Sequence, residues 1–425
     1  MKPPRKIVLP NGLRVVLVPQ ASSLAASVLV LVEAGSEYET RRLNGISHFL
    51  EHMTFKGTAL RPRPGMIAEE FAALGAQSNA FTSQEFTGYW AKAEAKKLKK
   101  IMEIVTDLYL HPLLAPEEIE KERGVIVEEL NMYEDTPTRK VQDLLLALLY
   151  GDQPAGWDVV GTRENVRRFT RDDFAAYRRA RYVTSGTVVV IAGRFDEKAV
   201  LARIRAAFGG LPRRRRAPKE KTRERQTKPG LLVRYKKSDQ GHLVLGFRAF
   251  DLFDRRRYAL RVLADVLGGG MHSRLWKKIR EELGAAYYLG ADAELSLDHG
   301  FFEIAAGVDH AKVETVLRAV IDECRMLRDT LVPADELART KDHMAGSIIL
   351  GLETADELAS FYGGEEILTG TLLPPEKIID RIRKTTAEEV RAAARDVFRN
   401  EKMNLAAIGP YRAGEKKKLS KILTF

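Results

Sequence analysis

Cysteine is all but missing from this chain. Cys324 stands alone among 425 residues, so no intrachain disulfide can form and a cysteine-based zinc cluster is excluded. Its setting, the apolar-periodic segment VLRAVIDECRML, reads as core. Long apolar runs are missing too. No stretch approaches the length of a transmembrane helix, and the opening MKPPRKIVLPNGLRVVLV lacks the apolar run and small-residue cleavage site of a secretory signal. A cytoplasmic protein without membrane contact is expected. With 45% hydrophobic and 30% charged residues the chain is neither disordered nor fibrous, and its length allows two or more cored domains.

An acidic surplus is also absent: the formal net charge is +11. Most of that excess sits in one segment, RRRRAPKEKTRERQTK (213–228), which holds nine Lys or Arg and two Glu. The segment has no aromatic residues and no helical apolar stripe, and it separates two globular stretches. A solvated interdomain linker is expected there rather than a nucleic-acid-binding arm.

What is present is concentrated in HFLEH, His48 to His52. In a helix, residues four apart are neighbours, so His48 and His52 can share one metal ion while Glu51 projects beside them as a base toward water. The order is that of the inverted zinc-protease signature. Ile46, Phe49, Leu50 and Met53 form an apolar stripe at helical spacing; His48, Glu51, His52 and Phe55 form a second, offset by two residues. Asn44 is the expected N-cap and Gly57 the expected stop.

A catalytic zinc takes three protein ligands, and two histidines are one short. The helix expected in PEEIEKERGVIVEELNMYEDTP, with Pro116 at its start and Ile119, Ile126, Leu130 and Tyr133 in apolar period, carries Glu122 and Glu129 two turns apart on one side. Glu128 is a further carboxylate there, and an acidic helix face is commonly just a solvated one.

HFLEHMTFKGT, followed after 76 intervening residues by Glu129 in ERGVIVEEL, resembles the pitrilysin family (M16) of zinc metallopeptidases in its short, processing-peptidase-like form. The resemblance implies that His48, His52 and Glu129 hold one Zn2+, that Glu51 is the general base, and that Glu122 supports a ligand from behind. It favours Glu129 over Glu128, which lies about 100° around the helix. The segment Gly75 to Ala93 looks like the family's edge strand, where Asn79 and Ala80 would contact a substrate backbone; an exposed edge can recruit an extended peptide by main-chain hydrogen bonds. GGGMHSRLWKKIREELGAAYYLGA resembles the segment that supplies an arginine and a tyrosine to substrate, here Arg280 and Tyr287. His272 departs from the small residue common there, and nothing near it in sequence supplies metal-ligand spacing.

The two halves read as copies. KIVLPNGLRVVLVPQ and SVLVLVEAG lead to the HFLEH helix, as LLVRYKKS and HLVLGFRAF lead to ALRVLADVLGG, where Leu263 to Leu267 replace the metal motif. The fold class expected is α+β: two homologous domains, each a largely antiparallel sheet packed with helices, over residues 1–212 and 230–425 with a basic linker at 213–229. In the family, four such domains enclose a clamshell chamber for unfolded peptides. A chain with two implies a dimer; the presence of both the metal motif and the Arg/Tyr segment favours a homodimer, with a heterodimer with a related chain as the alternative. A metalloendopeptidase is the expected function; a non-catalytic structural or partner subunit is the alternative that a degraded motif would have supported.

Overall fold

The computed structural model describes residues 3–425, in which strands and helices assemble around two sheets. The first contains β1 (Arg5–Val8), β2 (Arg14–Pro19), β3 (Ala25–Val32), β4 (Gln77–Thr82), β5 (Thr87–Glu94) and β6 (Thr187–Gly193), in the order β1-β2-β6-β3-β5-β4. The second contains β7 (Gly230–Tyr235), β8 (Gln240–Arg248), β9 (Ala286–Leu295), β10 (Gly300–Asp309) and β11 (Met403–Gly409), in the order β7-β11-β8-β10-β9. Only β2/β6 and β7/β11 pair in parallel; all other neighbours are antiparallel. Leaving out β1, the two orders coincide strand for strand, which is the duplication expected from the sequence.

The central strands are apolar without alternation because both faces are covered. Residues Ala26 to Val32 of β3 and all of β6 are buried. On one face of the first sheet lies the helix Leu98–Leu110. On the other lies Ala355–Thr369, a helix from the far half of the chain, whose Leu358, Ala359 and Tyr362 share a core with Val16, Leu29, Leu31 and Val190. The exchange runs both ways. Helix Pro137–Tyr150, from the first half, packs Val141, Leu145 and Leu149 against Val244, Ala406 and Ile408 of the second sheet.

The compact units are therefore discontinuous. One comprises residues 1–130, 158–220 and 349–374; the other comprises 131–157, 221–348 and 375–425. The contiguous division at 212 and 230 differs from this by one helix in each direction. Helical periodicity says that a helix has an apolar face, and it does not say which of two similar sheets receives it.

Buried charge anchors the exchanged helix Ala355–Thr369. The Glu366 side chain is 0% exposed and pairs with Lys6 Nζ at 2.7 Å and Arg14 Nη1 at 3.5 Å, while Arg14 also pairs with the buried Glu33 at 2.7 Å. Arg14→Met should cost about 3 kcal/mol, because it strips a shared cation from two buried carboxylates. Urea denaturation of the two proteins measures this; a change below about 0.5 kcal/mol contradicts it.

The basic segment is mostly exposed and crosses from the first unit to the second, and it is tied down at a few points. The Lys219 side chain is largely enclosed between Glu37 and Glu85, the latter at 3.0 Å, and Arg216 pairs with Glu33. Further along, Thr222 N donates to Asp298 at 2.8 Å, and Gln226 Nε2 donates to Met403 O at 2.9 Å. Residues up to 220 attach to the first unit and later ones to the second. Among the described residues, no helix is long and apolar enough to cross a membrane.

Candidate metal centre

The HFLEH motif lies on helix Ile46–Thr54, with Ile46, Phe49, Leu50 and Met53 buried as the stripe requires. Its N-cap is Gly45 rather than Asn44. Gly45 has φ of +99°, and a Cβ there would stand 2.4 Å from Val160 O, so only glycine fits. Asn44 instead donates its side-chain amide to Asp158 O at 2.9 Å. The free amides at the helix start are satisfied from a distance: Gly45 N and Ser47 N each donate to a carboxylate oxygen of Glu39 at 2.8 Å. Burial pushes the Glu39 carboxyl up to about 7, although these hydrogen bonds and that from Asn44 pull it down. The helix stops at Thr54, a turn before Gly57.

The second stripe of this helix meets helix Pro116–Asp135. His48 Nε2 stands 3.6 Å from Glu129 Oε1, His52 Nε2 stands 3.6 Å from Glu129 Oε2, and the two imidazole rings are 4.6 Å apart between centroids. One donor atom from each of His48, His52 and Glu129 falls within 4.8 Å of the others. Glu128 faces solvent. With ligands about 2.0–2.2 Å from zinc, neighbouring donors of a tetrahedron stand about 3.3–3.6 Å apart, so the two nitrogens and one carboxylate fit zinc in both type and spacing.

Glu122, also on this helix and buried, accepts from His52 Nδ1 at 2.9 Å and pairs with Lys56 Nζ at 2.5 Å. Donation from Nδ1 leaves the Nε2 lone pair of His52 directed at the cluster. Burial works against ionised Glu122, but His52 and Lys56 outweigh it and hold its carboxyl below the ordinary value. For His52, burial lowers the pKa, yet the Glu122 hydrogen bond and the charges of Glu129 and Glu51 leave it raised. Glu51 is raised by burial, which the Thr82 hydrogen bond and the two histidines only partly offset. Its Oε2 accepts from Thr82 Oγ1 at 2.6 Å.

Thr82 ends β4, and β4 pairs only with β5, so its outer edge carries backbone groups outside the ladder. The expected edge strand from Gly75 to Ala93 is thus a hairpin, with β4 alone at the edge. Asn79 is exposed on it and Ala80 is nearly buried, opposite Trp90 and Tyr89. Arg280 and Tyr287 belong to the second unit. Arg280 lies in the helical turn Trp276–Glu282 and donates to Ala286 O, one residue before Tyr287, which is 63% exposed at the start of β9. Sequence reasoning missed Glu39, Lys56 and Thr82. Lys56 sits in the quoted motif, whereas Glu39 and Thr82 carry no local signal.

Comparison with known proteins agrees with this architecture. The family model described as insulinase (peptidase family M16) matches residues 14–163, and that of the peptidase M16 inactive domain matches 168–344. An uncharacterized zinc protease, YmxG, of Bacillus subtilis is 33% identical over 94% of this chain and 97% of its own length. An uncharacterized zinc protease of Streptomyces coelicolor is 34% identical over 96% and 90%. Among solved structures, a protease from Helicobacter pylori superposes with a TM-score of 0.90 at 22% identity, covering 96% of this chain and 99% of that one, which speaks to the fold alone. By sequence and by fold, this chain belongs to peptidase family M16.

Proposed function

We propose that this protein is a zinc-dependent endopeptidase for unfolded peptides, with His48, His52 and Glu129 as the metal ligands. The observation that carries the reading is the convergence of these three donors within 4.8 Å, beside Glu51 on the same helix. Relatives named as zinc proteases support it. Bound zinc supplies Lewis acidity to the scissile carbonyl and to water.

The chain's own residues do the rest. A peptide adds as an extended strand along the outer edge of β4, with Asn79 and Ala80 against its backbone. Glu51 takes the proton of the attacking water and passes it to the leaving amine. The Thr82 hydroxyl ties that carboxylate to the end of the strand that receives the peptide, so base and substrate share one reference point. Glu122 keeps His52 in the ligating tautomer, and Lys56 offsets the charge of Glu122. Arg280 and Tyr287 are assigned to gripping substrate and stabilising the oxyanion, from the same chain or from a partner copy in a homodimer. In the second unit, Leu263 to Leu267 occupy the helix that parallels HFLEH, which fits a supporting role for that half.

The test is selectivity. The zinc-loaded protein should cut an unstructured peptide at internal bonds and leave the same segment intact within a stably folded domain. Failure to cut any member of a panel of unstructured peptides would favour the non-catalytic partner role instead.

A further inference from the structure

Among the described residues outside the HFLEH centre, one other cluster within a single unit brings two histidines and a carboxylate together. Asp265 lies near the end of helix Arg257–Gly268, His272 in the turn that follows it, and His343 on helix Ala334–Leu350. One donor atom from each falls within 4.8 Å of the others. All three residues belong to the second unit.

The sequence around Asp265 is shaped for this approach. The chain leaves the helix through Gly268, Gly269 and Gly270, and Gly270 has φ of +147°. A Cβ on Gly269 would lie 2.0 Å from Asp265 Oδ1, so a side chain there would displace the carboxylate. The turn closes with Ser273 N donating to Gly270 O at 3.0 Å, and it carries His272 back over the helix end. There, His272 Nε2 is buried, 3.5 Å from Asp265 Oδ2, with no hydrogen-bond partner among the described residues. The turn is secured to the same neighbouring helix by Arg274, whose Nε and Nη2 each donate to Glu336 at 2.8 Å.

His343 Nδ1 stands 3.1 Å from both carboxylate oxygens, within the ordinary range of an N–H···O hydrogen bond. His272 Nε2 is a second imidazole nitrogen turned to the same carboxylate, at 3.5 Å. Separations of 3.1 and 3.5 Å lie close to the roughly 3.3–3.6 Å between neighbouring donors on tetrahedral zinc. Two imidazoles and one carboxylate suit zinc-class divalent ions better than magnesium or calcium, which favour all-oxygen sets.

We propose that Asp265, His272 and His343 form a second zinc-class divalent-cation site in the second unit. The ligands are the Asp265 carboxylate, His272 Nε2 and His343 Nδ1. The ion clips helix Arg257–Gly268 and its glycine turn to helix Ala334–Leu350. This fixes the start of the segment that runs on to Arg280. The duplicated fold places the two sites on corresponding helices, one in HFLEH and the 116–135 helix, the other in the helices that parallel them. The proposal does not depend on catalysis, because its ligands and its readout are separate from those of the first centre.

Zinc binding to His48→Ala/His52→Ala, measured by calorimetric titration after chelator treatment, tests it. About one equivalent should bind, and adding His272→Ala or His343→Ala should weaken that binding at least about 10-fold. His272 and His343 are partly exposed, so circular dichroism should match the parent. In the otherwise wild-type protein, zinc content should fall from about two ions per chain to about one with His272→Ala, a result that stands even if the double variant fails to fold. Absence of binding to a folded double variant overturns the proposal, as does binding that both further substitutions leave unchanged.

Discussion

Replacing Glu51 with Gln is expected to slow peptide cleavage by about 10²- to 10⁴-fold while leaving zinc bound. The two consequences separate because Glu51 is not one of the three clustered donors, and its Oε2 is engaged by the Thr82 hydroxyl at 2.6 Å. A glutamine keeps the shape and can still accept that hydrogen bond through its amide oxygen. It has no carboxylate with which to take a proton from water. Initial rates on an unstructured peptide and metal content by mass spectrometry, from one preparation, give both numbers. Unchanged cleavage would remove Glu51 as the base. Loss of zinc together with cleavage would mean that the residue holds the metal.

Glu129→Gln should act through the metal itself. Both histidines direct Nε2 at the Glu129 carboxylate, each at 3.6 Å, so losing its charge deprives the ion of its one anionic donor in the cluster. Zinc affinity should fall by more than the roughly 10–100-fold that follows loss of a supporting partner, the range expected for Glu122→Gln. Glu128→Gln is the control: one residue away and facing solvent, it should bind zinc as wild type does. Competition with a chromophoric chelator measures all three. A loss confined to Glu128→Gln would transfer the ligand role to that neighbour.

The parts that were readable in advance are those governed by short-range periodicity. The HFLEH helix announced its buried stripe, and the two halves announced their likeness through parallel runs of strands and helices. The family's spacing favours Glu129 over Glu128, and in the structure Glu129 faces the histidines. What was illegible depends on long-range placement. Glu39 caps the HFLEH helix through a carboxylate folded back from an earlier turn, whereas the local sequence points to Asn44. The exchanged helices Pro137–Tyr150 and Ala355–Thr369 have ordinary apolar faces that suit either sheet. The contacts that tie down the mostly exposed basic segment 213–228 are equally illegible, because the carboxylates that pair with Lys219 lie far away in sequence. The approach of His343 to Asp265, 78 residues away, is equally invisible in the sequence.

The central claim is that peptide cleavage needs zinc at His48, His52 and Glu129. Its most direct test is cleavage of one unstructured peptide by wild-type protein stripped with a chelator, verified metal-free, and then given zinc. Activity should be absent from the stripped protein and return on adding zinc. Cleavage that persists in verified metal-free protein would contradict it.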